Sequence, residues 1–355
     1  MKLNNNSILS NISKFSLGTM TFGEQTNKLK AFEIMDYSYE NGINFFDTAE
    51  MYPVYPKKKT QGDSEKIIGE WLKLKKNKNK IVIGTKISTY NPNFIGSTKL
   101  KWIREGSKNL KYDKKNVTKA IEDSLSRLNI ESIDLCQLHW PERNVPFFGK
   151  FEYEHNSKDY EKSKLENIIF ILNKLINEGK IKSYGISNET PWGMMKYISI
   201  SKENNLRPPE SIQNVYNLLN RGFDISHSEV SMRENFGLLA YSPLACGRLS
   251  GKYLNRGKPK GSRYDLWPGR FDRHFTKRGE IAIKKYLALA KKFNLDITTL
   301  SHAFVISRPF VKSSIIGVTS IEQLRENLKA LDIKLSKEIL LEIENIHSDD
   351  RNPCV

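Results

Sequence analysis

The sequence predicts a single-domain α/β protein, a (β/α)8 TIM barrel spanning residues 1–355, and three observations carry that prediction. Strand-like and helix-like segments alternate eight times along the 355 residues. The strand-like segments are short, near-continuous apolar runs, as parallel strands covered on both faces require. No Pro/Gly/Ser-rich linker splits the chain into halves. The competing architecture, an open doubly wound sheet, would need a GxGxxG turn after a strand to hold a dinucleotide, and none is present.

The elements follow in order. A short strand at Lys14–Leu17 leads into the turn Gly18-Thr19-Met20-Thr21-Phe22-Gly23. Residues 27–41 carry Ala31, Ile34, Met35 and Tyr39 at helical spacing, closed by Asn41-Gly42. A strand at 43–46 ends in Asp47, and Tyr52 follows on the loop. Helix 63–76 places Ile67, Ile68, Trp71 and Leu72 on one face. Strand 81–83 leads to Lys86. A long polar loop, 88–115, precedes helix 118–129, and strand 133–138 ends at His139. A second long loop reaches residue 161 and helix 165–178 stops at Gly179. Strand 181–186 is followed by a helix with Pro191 at its first turn. Strands 212–216 and 238–241 flank helix 226–235. Helices at 280–293 and 300–307 come before the last strand, 313–318, and helices 321–331 and 336–346 close the chain.

The net charge of +17 admits a nucleic acid or another acidic surface as partner. The alternative is a lysine-biased composition spread over solvated helix faces, favoured by Asn4-Asn5-Asn6 and the Lys/Asn run at 73–80. No zinc-finger spacing or RNA-binding aromatic signature accompanies the charge, so no nucleic-acid partner is expected. Cys136, Cys246 and Cys354 form no CxxC pair, which points to a reducing compartment. The N-terminus lacks the apolar core of a signal peptide and no run is long enough for a membrane span, so the expectation is cytoplasmic.

In a barrel the chemistry sits at the C-terminal strand ends. Asp47, Lys86 and His139 occupy such ends on the second, third and fourth strands, and Tyr52 is one loop away. Each has an ordinary alternative: a cap, a solvated lysine, a core histidine, a packed ring. Together they form a proton-transfer set. A lysine beside a phenol favours the phenolate and is expected to lower its pKa. Asp47 can hold the ammonium, and His139 can aim a substrate oxygen. Such a set protonates a carbonyl oxygen while a nicotinamide cofactor delivers hydride to carbon. A metal site and a Ser–His–Asp nucleophile set lack their residues.

The chain resembles the aldo-keto reductase superfamily, and within it the Tas-like branch. The resemblance rests on Gly18–Gln25, Phe46–Val54, Thr60-Gln61-Gly62, His139–Arg143, Tyr184–Thr190, Leu218–Arg221, Leu239–Leu244 and Ile316–Thr319, in family order. It implies an NADPH-dependent carbonyl reductase with Tyr52 as acid–base residue, Asp47 and Lys86 as its supports and His139 as substrate orienter. Gly18, Thr19, Met20 and Asp47 would line the cofactor mouth. Tyr241 would stack on the nicotinamide, and Ser187, Asn188 and Gln213 would meet its carboxamide. Ser242, Pro243, Leu244, Gly247, Ser250 and Lys252 would receive the pyrophosphate, with Arg263 reaching over from a mobile loop at 253–278. Cys246, beside that loop, is a small packing residue or a redox-sensitive thiol. Gly317, Thr319, Gln323, Glu326 and Asn327 would hold the adenosine end. Many relatives carry Lys or Arg directly after that glycine; here Val318-Thr319 stand there, with Arg325 further on. Tyr55, Trp140 and Phe147 are candidates for the substrate pocket. The same resemblance admits an NADPH-binding regulatory subunit like the potassium-channel β subunits.

Overall fold

The computed structural model describes residues 7–75, 80–91, 100–105, 109–150, 152–269 and 271–354. Asn4–Asn6, the end of the helix expected to reach residue 76, and parts of the 88–115 and 144–161 loops lie outside them.

Eight parallel strands close into a barrel in sequence order, β8 pairing with β1. They are β1 (Phe15–Gly18), β2 (Phe45–Asp47), β3 (Val82–Ile87), β4 (Ile133–Leu138), β5 (Ile181–Ser187), β6 (Ser211–Val215), β7 (Gly237–Tyr241) and β8 (Val311–Gly317). The helices between them are α1 (Lys28–Glu40), α2 (Asp63–Leu74), α3 (Lys114–Leu128), α4 (Lys162–Asn177), α5 (Pro191–Glu203) and α6 (His227–Arg233). Then come the single turn α7 (Arg263–Leu266), α8 (Lys277–Lys292), α9 (Ile297–Ser307), α10 (Ile321–Leu328) and α11 (Lys337–Asp349). The expected alternation is therefore present. Helix starts follow local chemistry: Asn27, Asp113, Thr190, Thr276, Ser320 and Ser336 each accept a hydrogen bond from a first-turn N–H.

Successive strand residues point to opposite faces, and that period of two builds the interior. Outward residues such as Phe46, Ile83, Cys136, Tyr184, Ile212 and Ile316 pack in the layer between strands and helices. Inward residues Phe45, Leu135, Leu239 and Ile315 fill the barrel, and Leu9, from a 3-10 turn at Ile8–Ser10, joins them. A Cβ on Gly84 would lie 2.7 Å from the Phe45 ring, so this glycine makes the room that the ring occupies. Continuing the inward period upward from Phe45 reaches Asp47; from Gly84, Lys86; from Leu135, Gln137 and His139; from Leu239, Tyr241. The core pattern thus determines which side chains crowd the C-terminal mouth.

Candidate active site

Asp47, Lys86 and Tyr52 meet beneath that mouth. The Lys86 ammonium donates to Asp47 Oδ2 at 2.6 Å and to the Thr48 carbonyl at 2.7 Å. Its Nζ lies 4.9 Å from the centroid of the Tyr52 ring. The His139 ring stands edge-on to Tyr52, centroids 6.0 Å apart. Asp47, Lys86, Tyr52 and His139 are all buried.

Burial disfavours the Lys86 ammonium, but Asp47 and Tyr52 outweigh it and hold its pKa above the ordinary lysine value. Burial also raises the Tyr52 phenol; Lys86 opposes that shift and Asp47 adds to it. The net direction is upward, so the expected lowering by Lys86 is outweighed by desolvation. His139 is pushed well below the ordinary imidazole value, by burial first and by Lys86 second. It is neutral at physiological pH and offers one N–H and one lone pair.

Asp47 is held from several sides. Gln213 and Gln137 donate to its Oδ1 at 2.8 and 3.2 Å, and Gln213 donates to Gln137 Oε1 at 3.0 Å. Gln137 carried no sequence expectation; its position two residues before His139, on the inward period, is the signal that marks it. Thr19 does not line the cavity. Its N–H and hydroxyl both donate to the Asp47 carbonyl, and Ser64 Oγ binds it from α2. The loop carrying Tyr52 is pinned by Glu50, whose carboxylate receives Arg104 Nε at 3.0 Å and a second guanidinium nitrogen at 2.5 Å. Both partners are buried.

A cavity of about 1100 Å³ runs from this cluster across the mouth. Its wall contains Gly18, Met20, Asp47, Tyr52, His139, Ser187, Asn188, Gln213, Tyr241, Ser242, Pro243, Leu244, Gly247, Ser250, Lys252, Arg263, Gly317, Thr319, Gln323, Glu326 and Asn327. Lys86 sits behind Asp47 and Tyr52 and is absent from that wall. The ring of Tyr241 is steered by its hydroxyl, which donates to Asn188 Oδ1 at 2.7 Å. Asn188 donates to the His139 carbonyl at 2.9 Å and to Ser187 Oγ at 3.2 Å, so β4, β5 and β7 share one network.

At the far end, Thr319 N–H donates to Gln323 Oε1 at 3.0 Å. Arg325 does not join the wall; its guanidinium lies 5.7 Å from the Tyr37 ring centroid, on α1. The 253–278 stretch packs Tyr253, Tyr264 and Phe271 into a small core of their own. Gln25 ties it to the β1 loop by donating to the Gly261 carbonyl at 2.9 Å. Lys252 and Arg263 have no carboxylate partner among the described residues. Burial, then Arg263, lowers the Lys252 ammonium.

Of the substrate-pocket candidates, Tyr55 and Trp140 line the cavity and Phe147 does not. Phe148 lines it in place of Phe147, with Met51, Leu100 and Trp102. Phe147 instead joins the apolar cluster around Trp140. His302 and Arg273 also line the cavity and had no sequence signal: one is on a helix face, the other in the 3-10 turn Asp272–His274.

Comparison with known proteins bears on the family and the fold. The signature of the Aldo/keto reductase family matches residues 14–348. Protein tas of Escherichia coli is 40% identical over 336 residues, spanning 95% of this chain and 94% of its own. An aldo-keto reductase of Babesia bovis is 37% identical over 287 residues, 77% of this chain and 98% of its own. The uncharacterized oxidoreductase YrpG of Bacillus subtilis is 29% identical over 339 residues, 94% and 92% of the two chains. A closed eight-stranded barrel, a buried Asp–Lys–Tyr–His cluster at its mouth and these matches together make the chain an oxidoreductase of the aldo/keto reductase family.

Proposed function

We propose that the protein is an NADP(H)-dependent reductase of small aldehydes or ketones, with Tyr52 as the proton donor. The observation that carries this reading is the convergence of Lys86, Asp47, Tyr52 and His139 at one end of a cavity of about 1100 Å³ whose wall reaches Gly317 at the end of β8 and Gln323 and Asn327 beyond it.

The residues present suit that cofactor. Lys252 and Arg263 are cations on the cavity wall without a carboxylate partner among the described residues, which suits a pyrophosphate. The face of Tyr241 suits an aromatic ring. Gln213 donates through its amide nitrogen to Asp47 and Gln137, leaving its carbonyl as an acceptor for a carboxamide. Bound there, the reduced nicotinamide supplies the hydride. Choice of the 2′-phosphorylated form rests on the cationic wall in general, since Arg325 is turned onto Tyr37.

The protein's own groups handle the proton. A carbonyl oxygen between Tyr52 and His139 takes a hydrogen bond from each. The raised phenol keeps its proton at neutral pH, as a donor must. As the oxygen gains negative charge, Tyr52 releases that proton to it. The Lys86 ammonium then stabilises the phenolate, and Asp47 keeps that ammonium in position. Met51, Leu100, Trp102 and Trp140 exclude water from the carbonyl, favouring small substrates with an apolar portion.

The test is turnover by the purified protein with NADPH and a panel of carbonyl compounds. Tyr52→Phe should lower kcat by about 10²–10⁴-fold while NADPH affinity, followed by fluorescence titration, stays close to wild type. Full activity in that variant would remove Tyr52 from the role. Tight NADPH binding without turnover across the panel would favour a regulatory subunit.

A further inference from the structure

We propose that Cys246 and His274 form a thiolate–imidazolium pair on the wall of the cofactor groove, and that Cys246 is a site of covalent oxidation by hydrogen peroxide. The proposal stands on a contact between two segments 28 residues apart. Cys246 Sγ lies 3.3 Å from His274 Nε2. Cys246 is half-buried: it packs against the Tyr253, Tyr264 and Phe271 cluster on one side and lines the cavity on the other. His274 is buried and held in place from behind, its carbonyl accepting from the Cys354 thiol at 3.5 Å.

The groups facing Cys246 that favour an anion there are His274, Arg263 and Arg273. The neighbouring phenols of Tyr241, Tyr253 and Tyr264 are raised by burial and stay neutral. Among the described residues no carboxylate hydrogen-bonds the sulfur. Burial opposes the thiolate, but the hydrogen-bonded His274 and the two arginines outweigh it and bring the thiol down to about 5. Cys136, by contrast, lies in the sealed outer layer of the barrel and burial drives it upward. Cys354 is likewise buried and raised.

A thiolate is the nucleophilic form of cysteine. Its sulfur attacks one peroxide oxygen; the S–O bond forms as the O–O bond breaks. The departing hydroxide takes the imidazolium proton of His274 and leaves as water. Sulfur is oxidised by two electrons to a sulfenic acid, and the peroxide is reduced. The pair needs no cofactor to react. Because it borders the groove proposed for NADPH, a bound dinucleotide should cover it.

The experiment uses the full-length protein, pulsed with iodoacetamide between pH 5 and pH 9, digested and analysed by mass spectrometry. A parallel sample receives hydrogen peroxide, with dimedone to trap sulfenic acid. At pH 6 a thiolate that is formed but intrinsically weaker should be alkylated about ten-fold faster than an ordinary thiol. Cys246 should therefore react at least about ten-fold faster than Cys136 and Cys354, with a rate that levels off above pH 6. Dimedone should label Cys246 first. His274→Asn should slow alkylation at pH 6 and restore a rise toward about 8.5. A wild-type Cys246 that reacts no faster than the other two cysteines, or whose rate rises through pH 8, overturns the proposal. The wild-type pH profile decides the matter even if the His274 variant does not fold. Saturating NADPH should suppress labelling. Fast labelling unaffected by NADPH would count against the cofactor assignment and leave the Cys246–His274 pair standing.

Discussion

The ammonium of Lys86 lies 2.6 Å from Oδ2 of Asp47, and both side chains are buried. Neither charge could sit there alone, because an isolated ion at such depth costs several kcal/mol. The pair is therefore structural as well as electrostatic. Lys86→Met should destabilise the fold by about 3–5 kcal/mol, since it leaves the Asp47 carboxylate uncompensated. Combining it with Asp47→Asn should recover much of that loss without restoring turnover. Urea unfolding of the two single variants and the double variant checks this; strictly additive losses would refute the coupling.

The titration directions around the pair set the pH dependence. Reduction needs Tyr52 protonated, and its pKa is raised by burial despite Lys86. The reductive kcat should thus stay level through neutrality and fall only on the alkaline side, beyond the ordinary phenol value of about 10. His139 is held well below the ordinary imidazole range, so its ring loses no proton and gains none near pH 6.5. A half-loss of reductive kcat near that pH would contradict both statements.

Much of this site was legible in the chain because barrel strands obey a period of two. Asp47, Lys86, His139 and Tyr241 fall on the inward phase, above the apolar residues that fill the interior. The same phase marks Gln137, which polar character alone did not distinguish. Contacts between loops were not legible. Glu50 meets Arg104 across 54 positions and Cys246 meets His274 across 28. No periodicity links such pairs; the barrel's mouth brings them together. The direction of the Tyr52 shift was likewise hidden, because a sequence shows that a lysine is near but not how deeply both are buried. Arg325 illustrates the reverse: a cation at a suggestive position is claimed by an aromatic ring on the neighbouring helix.

His302 on α9 makes an edge contact with Phe15, ring centroids 5.3 Å apart, and is fully buried. Burial pushes it down to about 4. The unfolded chain protonates this residue near 6.5 while the native state does not. The unfolded state therefore gains protons first as pH falls, and stability declines between about 6.5 and 4, by up to about 3 kcal/mol from this residue. Above pH 6.5 it contributes no slope. Thermal unfolding from pH 4 to 8 should show a flatter acid limb for His302→Gln than for wild type. An unchanged limb would assign the acid sensitivity elsewhere.

Gly69, on the buried face of α2, offers a case where two effects oppose each other. Replacing a helical glycine by alanine normally stabilises a helix by about 0.5–1 kcal/mol. Here an added Cβ would lie 2.6 Å from the carbonyl oxygens of both Arg127 and Leu128, at the end of α3. Those atoms are backbone, so no rotamer change relieves the overlap and α2 must move away from α3. The cost of such overpacking, about 1–3 kcal/mol, exceeds the propensity gain. The movement would also disturb Ser64 and Glu65 on the same helix. Ser64 binds Thr19 beneath Asp47, and Glu65 receives Arg127 Nε at 2.6 Å. Gly69→Ala should therefore lower the urea midpoint and reduce kcat, while Gly42→Ala, where nothing lies within 4 Å but φ is +82°, should cost stability through backbone strain alone and leave kcat unchanged. A Gly69→Ala protein as stable as wild type would mean that the two helices can separate at no cost, and that the close approach of α2 to α3 does not fix the position of the Asp47 support.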